Sequence, residues 1–234
     1  MKRFLWITSL LFILISCSTP ENQMTLTGQV KGLKKGTLLL QKIEDSLLIT
    51  VDSVLINGKD EFNFSEEIES PEIYYLYVKI NNGILQDDRL AFFAEPNEMT
   101  IKTTLKNFAV KASITGSENQ DKLNEYNKII ERYNFKNLEL IEKSFTAKQK
   151  GYDSLASTYE ASQKSLITKK YLATINFALN NSDYEIAPYL MINQVRDSKV
   201  KYLDTVYKAL NQNIKDSKYG KALESLIQSR STQE

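Results

Sequence analysis

Residues 114–126 read ITGSENQDKLNEY, and within this stretch the hydrophobic period of the chain changes. Before Gly116 apolar residues alternate with polar ones, as on a strand that buries one face. After it they recur three and four apart, as along one side of a helix. Ser117 stands where an N-cap belongs, with a hydroxyl that can accept from the orphan N–H groups of a first turn. The boundary at 115/116 therefore separates a β-rich half from a helical half.

Working back from it, MTLTGQVKG (24–32) alternates around Leu26 and Val30. Gly36 opens GTLLLQKI (36–43), and LLITVDSVLI (47–56) follows. Asn57-Gly58, a dipeptide that favours tight hairpins, precedes KDEFNFSEEI (59–68), in which Phe62 and Phe64 alternate with polar residues. IYYLYVKI (73–80) is broken by Asn82-Gly83, and RLAFFAE (89–95), EMTIKTTL (98–105) and FAVKASITG (108–116) complete the series. Some eight short strands with no helical pattern between them predict an antiparallel β-sandwich or open barrel over 24–115.

Working forward, Leu123, Tyr126, Ile130 and Tyr133 mark a first helix, and Leu155, Tyr159 and Leu166 a second over about 152–179. Pro188 falls at the start of a short helix in NNSDYEIAPYLMINQV (180–195). In SKVKYLDTVYKALNQNI (198–214), Leu203, Val206, Tyr207, Leu210 and Ile214 share one face, and SKYGKALESLI (217–227) forms a last helix. Residues 116–228 are thus a helical region, and 229–234 a flexible polar tail. Short, interrupted helices bury too little alone to offset their chain entropy, so they should pack on the β-domain, giving an α+β fold.

The chain's one cysteine lies in LFILISCSTPENQ (11–23), and histidine is absent. Lys2 and Arg3 precede an apolar run from Phe4 to Ile15 that is short for a membrane span but suits a secretory signal. Leu14-Ile15-Ser16-Cys17 resembles a bacterial lipobox. That resemblance implies cleavage between Ser16 and Cys17, removal of residues 1–16, and a diacylglyceryl and an N-acyl (palmitate-type) lipid on Cys17. Several acyl chains anchor a protein stably where one does not. Residues 17–23 would form a polar tether reaching roughly 20 Å. Ser18 and Thr19 offer no inner-membrane retention aspartate, which favours the outer membrane within the cell envelope. The plainer alternative is an ordinary signal peptide with a free cysteine beside its cut site.

With Cys17 acylated, the mature chain has no thiolate nucleophile and no redox pair, and without histidine it has no Ser-His-Asp triad. No catalytic residue, metal site or cofactor is assigned beyond the lipid itself. Loss of Lys2 and Arg3 leaves 28 basic against 29 acidic side chains over about 218 residues, a net charge of −1 that offers no field for nucleic acid.

Other features read as structure first. Asp87-Asp88 lacks the ligand spacing of a calcium loop and fits a solvated strand connection. Tyr74 and Leu76 face one side of IYYLYVKI and Tyr75 and Tyr77 the other, the pattern of a strand buried on both faces. Tyr126 with Tyr133, and Tyr152 with Tyr159, share helix faces and suit packing with hydroxyls at the rim.

The order of lipobox, LTGQVKG…GTLLLQKI, ITGSENQDKLNEY, SDYEIAPYLMI, YLDTVYKAL and SKYGKALESLI resembles the front portion of Bacteroidetes lipoproteins that end in a thioredoxin-like (TlpA or peroxiredoxin-type) domain. The resemblance implies a β-rich domain, a helical connector and an envelope setting. The thioredoxin-like domain and its active-site cysteines have no counterpart here. Asp45-Ser46-Leu47, Asp52-Ser53-Val54, Asp153-Ser154-Leu155 and Asp204-Thr205-Val206 look like acceptors that Bacteroidetes O-glycosylate, marking Ser46, Ser53, Ser154 and Thr205. Two functions follow: a non-catalytic binding or scaffolding lipoprotein, or an accessory subunit of envelope thiol–disulfide chemistry beside a separate thioredoxin-like partner. The oligomeric state is open at this level.

Overall fold

The computed structural model describes residues 22–80 and 88–232. The lipobox with Ser16 and Cys17 lies outside them, as do Asn82, Gly83 and Asp87. Eight strands come first: β1 (Gln23–Lys31), β2 (Lys35–Glu44), β3 (Leu47–Asn57), β4 (Glu61–Glu67), β5 (Glu72–Lys79), β6 (Leu90–Ala94), β7 (Glu98–Thr104) and β8 (Ser113–Thr115). Six helices follow: α1 (Glu118–Gln149), α2 (Asp153–Asn180), α3 (Ile186–Gln194), α4 (Val200–Ala209), α5 (Gln212–Asp216) and α6 (Lys218–Ser231). None of the described helices is long and apolar enough to cross a membrane.

The strands form two four-stranded sheets, ordered β4-β1-β7-β8 and β3-β2-β5-β6, packed face to face. The alternating residues anticipated from sequence meet between them: Leu26, Phe64 and Ile101 from one sheet, Leu40, Tyr74 and Phe92 from the other. The fold is α+β, as the pattern implies, with one departure from an antiparallel sandwich. β1 and β7 pair in parallel, Thr27 opposite Thr100, while the other described pairings are antiparallel. A period of two is the same read in either direction, so alternation could not reveal it.

The hairpin signal also settles elsewhere. β3 and β4 belong to different sheets, so Asn57-Gly58 carries the chain across the sandwich. The tight hairpin is Asp45-Ser46 between β2 and β3, both residues at positive φ (46° and 67°), the signature of a type I′ turn.

β5 decides where the helices go. Tyr74, Leu76 and Val78 point into the sandwich, while Ile73 and Tyr75 point out and are covered by Tyr126, Ile130, Phe177, Ile186 and Leu190. Phe93 beside them is wholly buried and meets Tyr189 and Tyr219 edge-on at 5.2 and 6.2 Å between ring centroids. A third cluster, including Met191, Leu203, Val206 and Leu223, holds the helices to one another.

The helix boundaries differ from the pattern in two places. The 198–214 stripe is cut after Leu210, because Asn211 Oδ1 accepts from Ile214 N–H at 2.9 Å and caps a new helix, though Leu203, Val206, Leu210 and Ile214 all remain buried. α6 continues to Ser231, three residues into the expected tail, where Arg230 donates to the Ser198 carbonyl at 2.7 Å. The tyrosine pairs split as well. Tyr126 buries its hydroxyl against Thr174 Oγ1 at 3.0 Å rather than at a rim, and Tyr152 precedes α2 and is exposed.

Gly116, the hinge between the halves, has φ +92°, and a Cβ there would meet the Glu98 carbonyl oxygen at 2.2 Å. Gly116→Ala should lower the unfolding free energy by roughly 2–4 kcal/mol, combining left-handed strain with a backbone clash. Gly58→Ala has positive φ but open space around it, and should cost about 1 kcal/mol. Urea titrations of the two variants check the ordering.

Candidate functional site

Where β6 ends, Glu95 turns a carboxylate into the protein, 5 % exposed. One oxygen, Oε1, accepts from Ser117 Oγ (2.8 Å), Asn119 N–H (2.7 Å) and Asn119 Nδ2 (2.9 Å), and Oε2 accepts from Glu118 N–H (3.2 Å). The Glu118 and Asn119 N–H groups are orphan donors of the first turn of α1, and a negative charge there also meets the positive end of the helix dipole. Ser117 caps the same turn by accepting from Gln120 N–H at 3.0 Å. Gln120 does not close a capping box. Its Oε1 takes the Phe93 N–H at 2.9 Å, so α1 satisfies a donor on the outer edge of β6.

Asn119 passes the contact on. Its Oδ1 accepts from Ile186 N–H at 2.8 Å at the start of α3, and its Nδ2 reaches Glu185 at 3.0 Å. On the far side of the junction the Tyr219 hydroxyl accepts from Ile73 N–H at 2.9 Å. Lys218 donates to the Ile43 carbonyl at 2.8 Å and pairs with Glu72. The Asn119 and Tyr219 contacts thus stitch the halves through groups whose alternative is burial without a partner, while the Lys218 contacts are exposed to water.

Between the stitches the two halves leave a cleft of about 860 Å³. Glu44, Asp45, Glu67, Glu69 and Glu72 come from the strand ends, and Glu185 and Asp216 from the helical side. Lys42, Lys218 and Lys221 oppose them. The lining therefore carries an excess of negative charge, suited to positively charged groups. Burial pushes the Glu185 carboxyl above the ordinary range, and its bond from Asn119 offsets only part of that. The cleft opens at the end of the sandwich where the chain enters β1, since Gln23 pairs with Glu67 and the Asn22 carbonyl accepts from Ile68 N–H at 2.7 Å.

The residues singled out by sequence are not gathered here. Ser46 sits exposed at the type I′ turn on the cleft rim, beside lining residue Asp45. Ser154 lies exposed in the first turn of α2, at the tip of the α1–α2 hairpin. Ser53 is inside β3, its N–H held by Asp52 Oδ1 at 2.6 Å, and Thr205 is inside α4, its hydroxyl donating to the Lys201 carbonyl at 2.7 Å. Only the first two offer the turn-like exposure a bulky glycan needs. Asp88 accepts from Ala109 N–H at 3.3 Å, a plain strand connection, while Asp87 is outside the described residues. Glu95, Asn119, Glu185 and Tyr219 escaped sequence reading, because single polar residues of these types carry no spacing signal. Ser117 read as an N-cap, but nothing in the sequence hints that Gln120 serves β6.

Residues 24–123 match the family described as Domain of unknown function (DUF4369). No curated protein matches the chain. The matched stretch runs past the last strand into α1 and takes in Glu95, Ser117, Asn119 and Gln120, so the clasp falls inside it.

Glu95→Ala should destabilise the protein by about 3 kcal/mol, since buried donors on α1 lose a charged acceptor. Loss of the coupled unfolding of strands and helices in urea is the sharper sign. Glu185 behaves in the opposite sense to a paired carboxylate. Its folded value lies above its unfolded one, so the folded state holds more protons between the two, and stability falls as pH rises through that window. Glu185→Gln should flatten this slope, as read from urea midpoints stepped upward in pH from the ordinary carboxylate range.

Proposed function

We propose that this chain is a cell-envelope lipoprotein, lipidated at Cys17 after cleavage behind Ser16, and that it acts as a non-catalytic binding module rather than an enzyme. The observation that carries the binding role is the acidic cleft built jointly by the strand ends and α5–α6. A concave, charged surface shared by two bonded halves is a place for a positively charged segment of another envelope component. The anchoring part rests on the lipobox resemblance. The polar stretch from Cys17 to Asn22 would then keep the cleft end of the sandwich within roughly 20 Å of the membrane, outer rather than inner by the residues after Cys17.

The accessory role beside a thioredoxin-like protein is the second reading. It draws support from the position of the domain match, which covers the segment that the resemblance places ahead of such a domain. In that reading the chain supplies contacts, and its partner supplies the cysteines.

Cys17→Ser should abolish fatty-acid labelling and move the protein out of the membrane fraction. Retention of the variant in membranes would refute the anchor. A photo-crosslinking residue at Glu69 should capture a defined envelope partner in cells, and Glu67→Lys with Glu72→Gln should abolish that capture. A crosslinking residue at Lys106, remote in sequence from every lining group, should capture none. Equal capture from both positions would refute the cleft.

A further inference from the structure

The four sheet edges are managed unequally. The β6 edge has its Phe93 N–H taken by Gln120, and β8 is three residues long. The β4 edge turns Glu61, Asn63, Ser65 and Glu67 to solvent. Exposed edges are normally blunted in just these ways, because unpaired N–H and C=O groups template another strand. β3 is guarded only at its centre, by a bulge at Val51 and by the Asp52 carboxylate on Ser53 N–H. It is the longest of the described strands at eleven residues, among the described residues it borders β2 alone, and it leaves Leu55 70 % and Leu47 68 % exposed with Leu48 also open.

Its sequence is also nearly symmetric about its own middle. Register with β2 places Leu48, Thr50, Ser53 and Leu55 on the outer face, opposite Ile43, Gln41, Leu39 and Thr37. A bulge at Val51 keeps this face in step across the centre. Run a second β3 antiparallel about an axis between Val51 and Asp52, and Leu48 meets Leu55 while Thr50 meets Ser53. On the sandwich side Ile49 meets Val54. Apart from the central Val51–Asp52 pair, the pairs are chemically matched, and each occurs twice, as an isologous contact requires. The helical half bonds to β5, β6 and the end of β2, so it leaves the free side of β3 clear.

We propose that the β3 edge is a homodimer interface, through which two copies of this chain join their β3-β2-β5-β6 sheets into one of eight strands. The occupant is a second copy rather than an unrelated peptide, because the strand's own sequence returns its leucines, hydroxyls and branched residues in register. Asp52 neighbours the axis and its carboxylate holds Ser53 N–H, so pairing must displace that bond and bring two like charges together, which holds the association to a reversible strength.

Sedimentation equilibrium on the full secreted chain carrying Cys17→Ser should show a concentration-dependent dimer. Leu55→Lys, at a site already exposed and so harmless to the fold, should weaken it at least tenfold, and Asp52→Asn should tighten it several-fold. When Thr50→Cys and Ser53→Cys proteins are mixed and oxidised, the mixed disulfide should form in preference to either homodisulfide, whose cysteines lie too far apart across the axis. A monomer at every concentration overturns the proposal. So does a dimer indifferent to Leu55→Lys or Asp52→Asn, or one whose mixed and matched disulfides form equally.

Discussion

The junction between strands and helices depends on the Glu95 carboxylate and the first turn of α1. A buried charge is costly unless donors surround it, and an α-helix start is a set of donors seeking an acceptor. Each solves the other's difficulty: Ser117, Glu118 and Asn119 all donate to Glu95. Because Asn119 also holds Ile186 N–H and Glu185, the same residue fixes where α3 begins. The position of the helical half follows from that one contact, and the cleft is the space left between its far side and the strand ends.

Apolar packing gives the arrangement its strength, and the polar clasp gives it its direction. β5 serves two interiors at once, with Tyr74 and Leu76 in the sandwich and Ile73 and Tyr75 beneath the helices. A sheet face left bare would expose Phe93 and its neighbours to water at about 25 cal/mol per Å² of apolar surface. The helices alone would leave Tyr126, Phe177 and Leu190 uncovered. Neither half covers its apolar faces alone, and the family match runs past the last strand into α1, taking in Glu95 and the turn that binds it.

Periodicity was enough to read the class of fold, the positions of the first seven strands, the Ser117 cap and the double burial of β5, whereas FAVKASITG keeps only Ser113–Thr115 as a strand and turns before it. Those properties repeat along the chain, and repetition is what a sequence displays. The parallel β1–β7 pair was hidden because alternation has no direction, and the corner at Asn57-Gly58 because turn chemistry does not specify which sheet comes next. The site was hidden more completely. Glu95, Asn119 and Glu185 lie 24 and 66 residues apart and form a network only once folded. Ser46 and Ser154 could be located from their motifs, but their differing surroundings from Ser53 and Thr205 depend on turns and helices around them.

The parallel pairing also sets an order on assembly. β1 is the first strand made, yet it sits between β4 and β7, and Thr27 finds Thr100 only after 73 further residues. The N–H of Ile73 waits 146 residues for the Tyr219 hydroxyl. Contacts of such separation form slowly, since loop-closure entropy is lost before any of them is gained. A chain emerging amino end first would carry open strands and bare aromatic faces until its last helix arrived. For such a fold the hazardous interval is the time of its own synthesis, before the last helix covers the sheet.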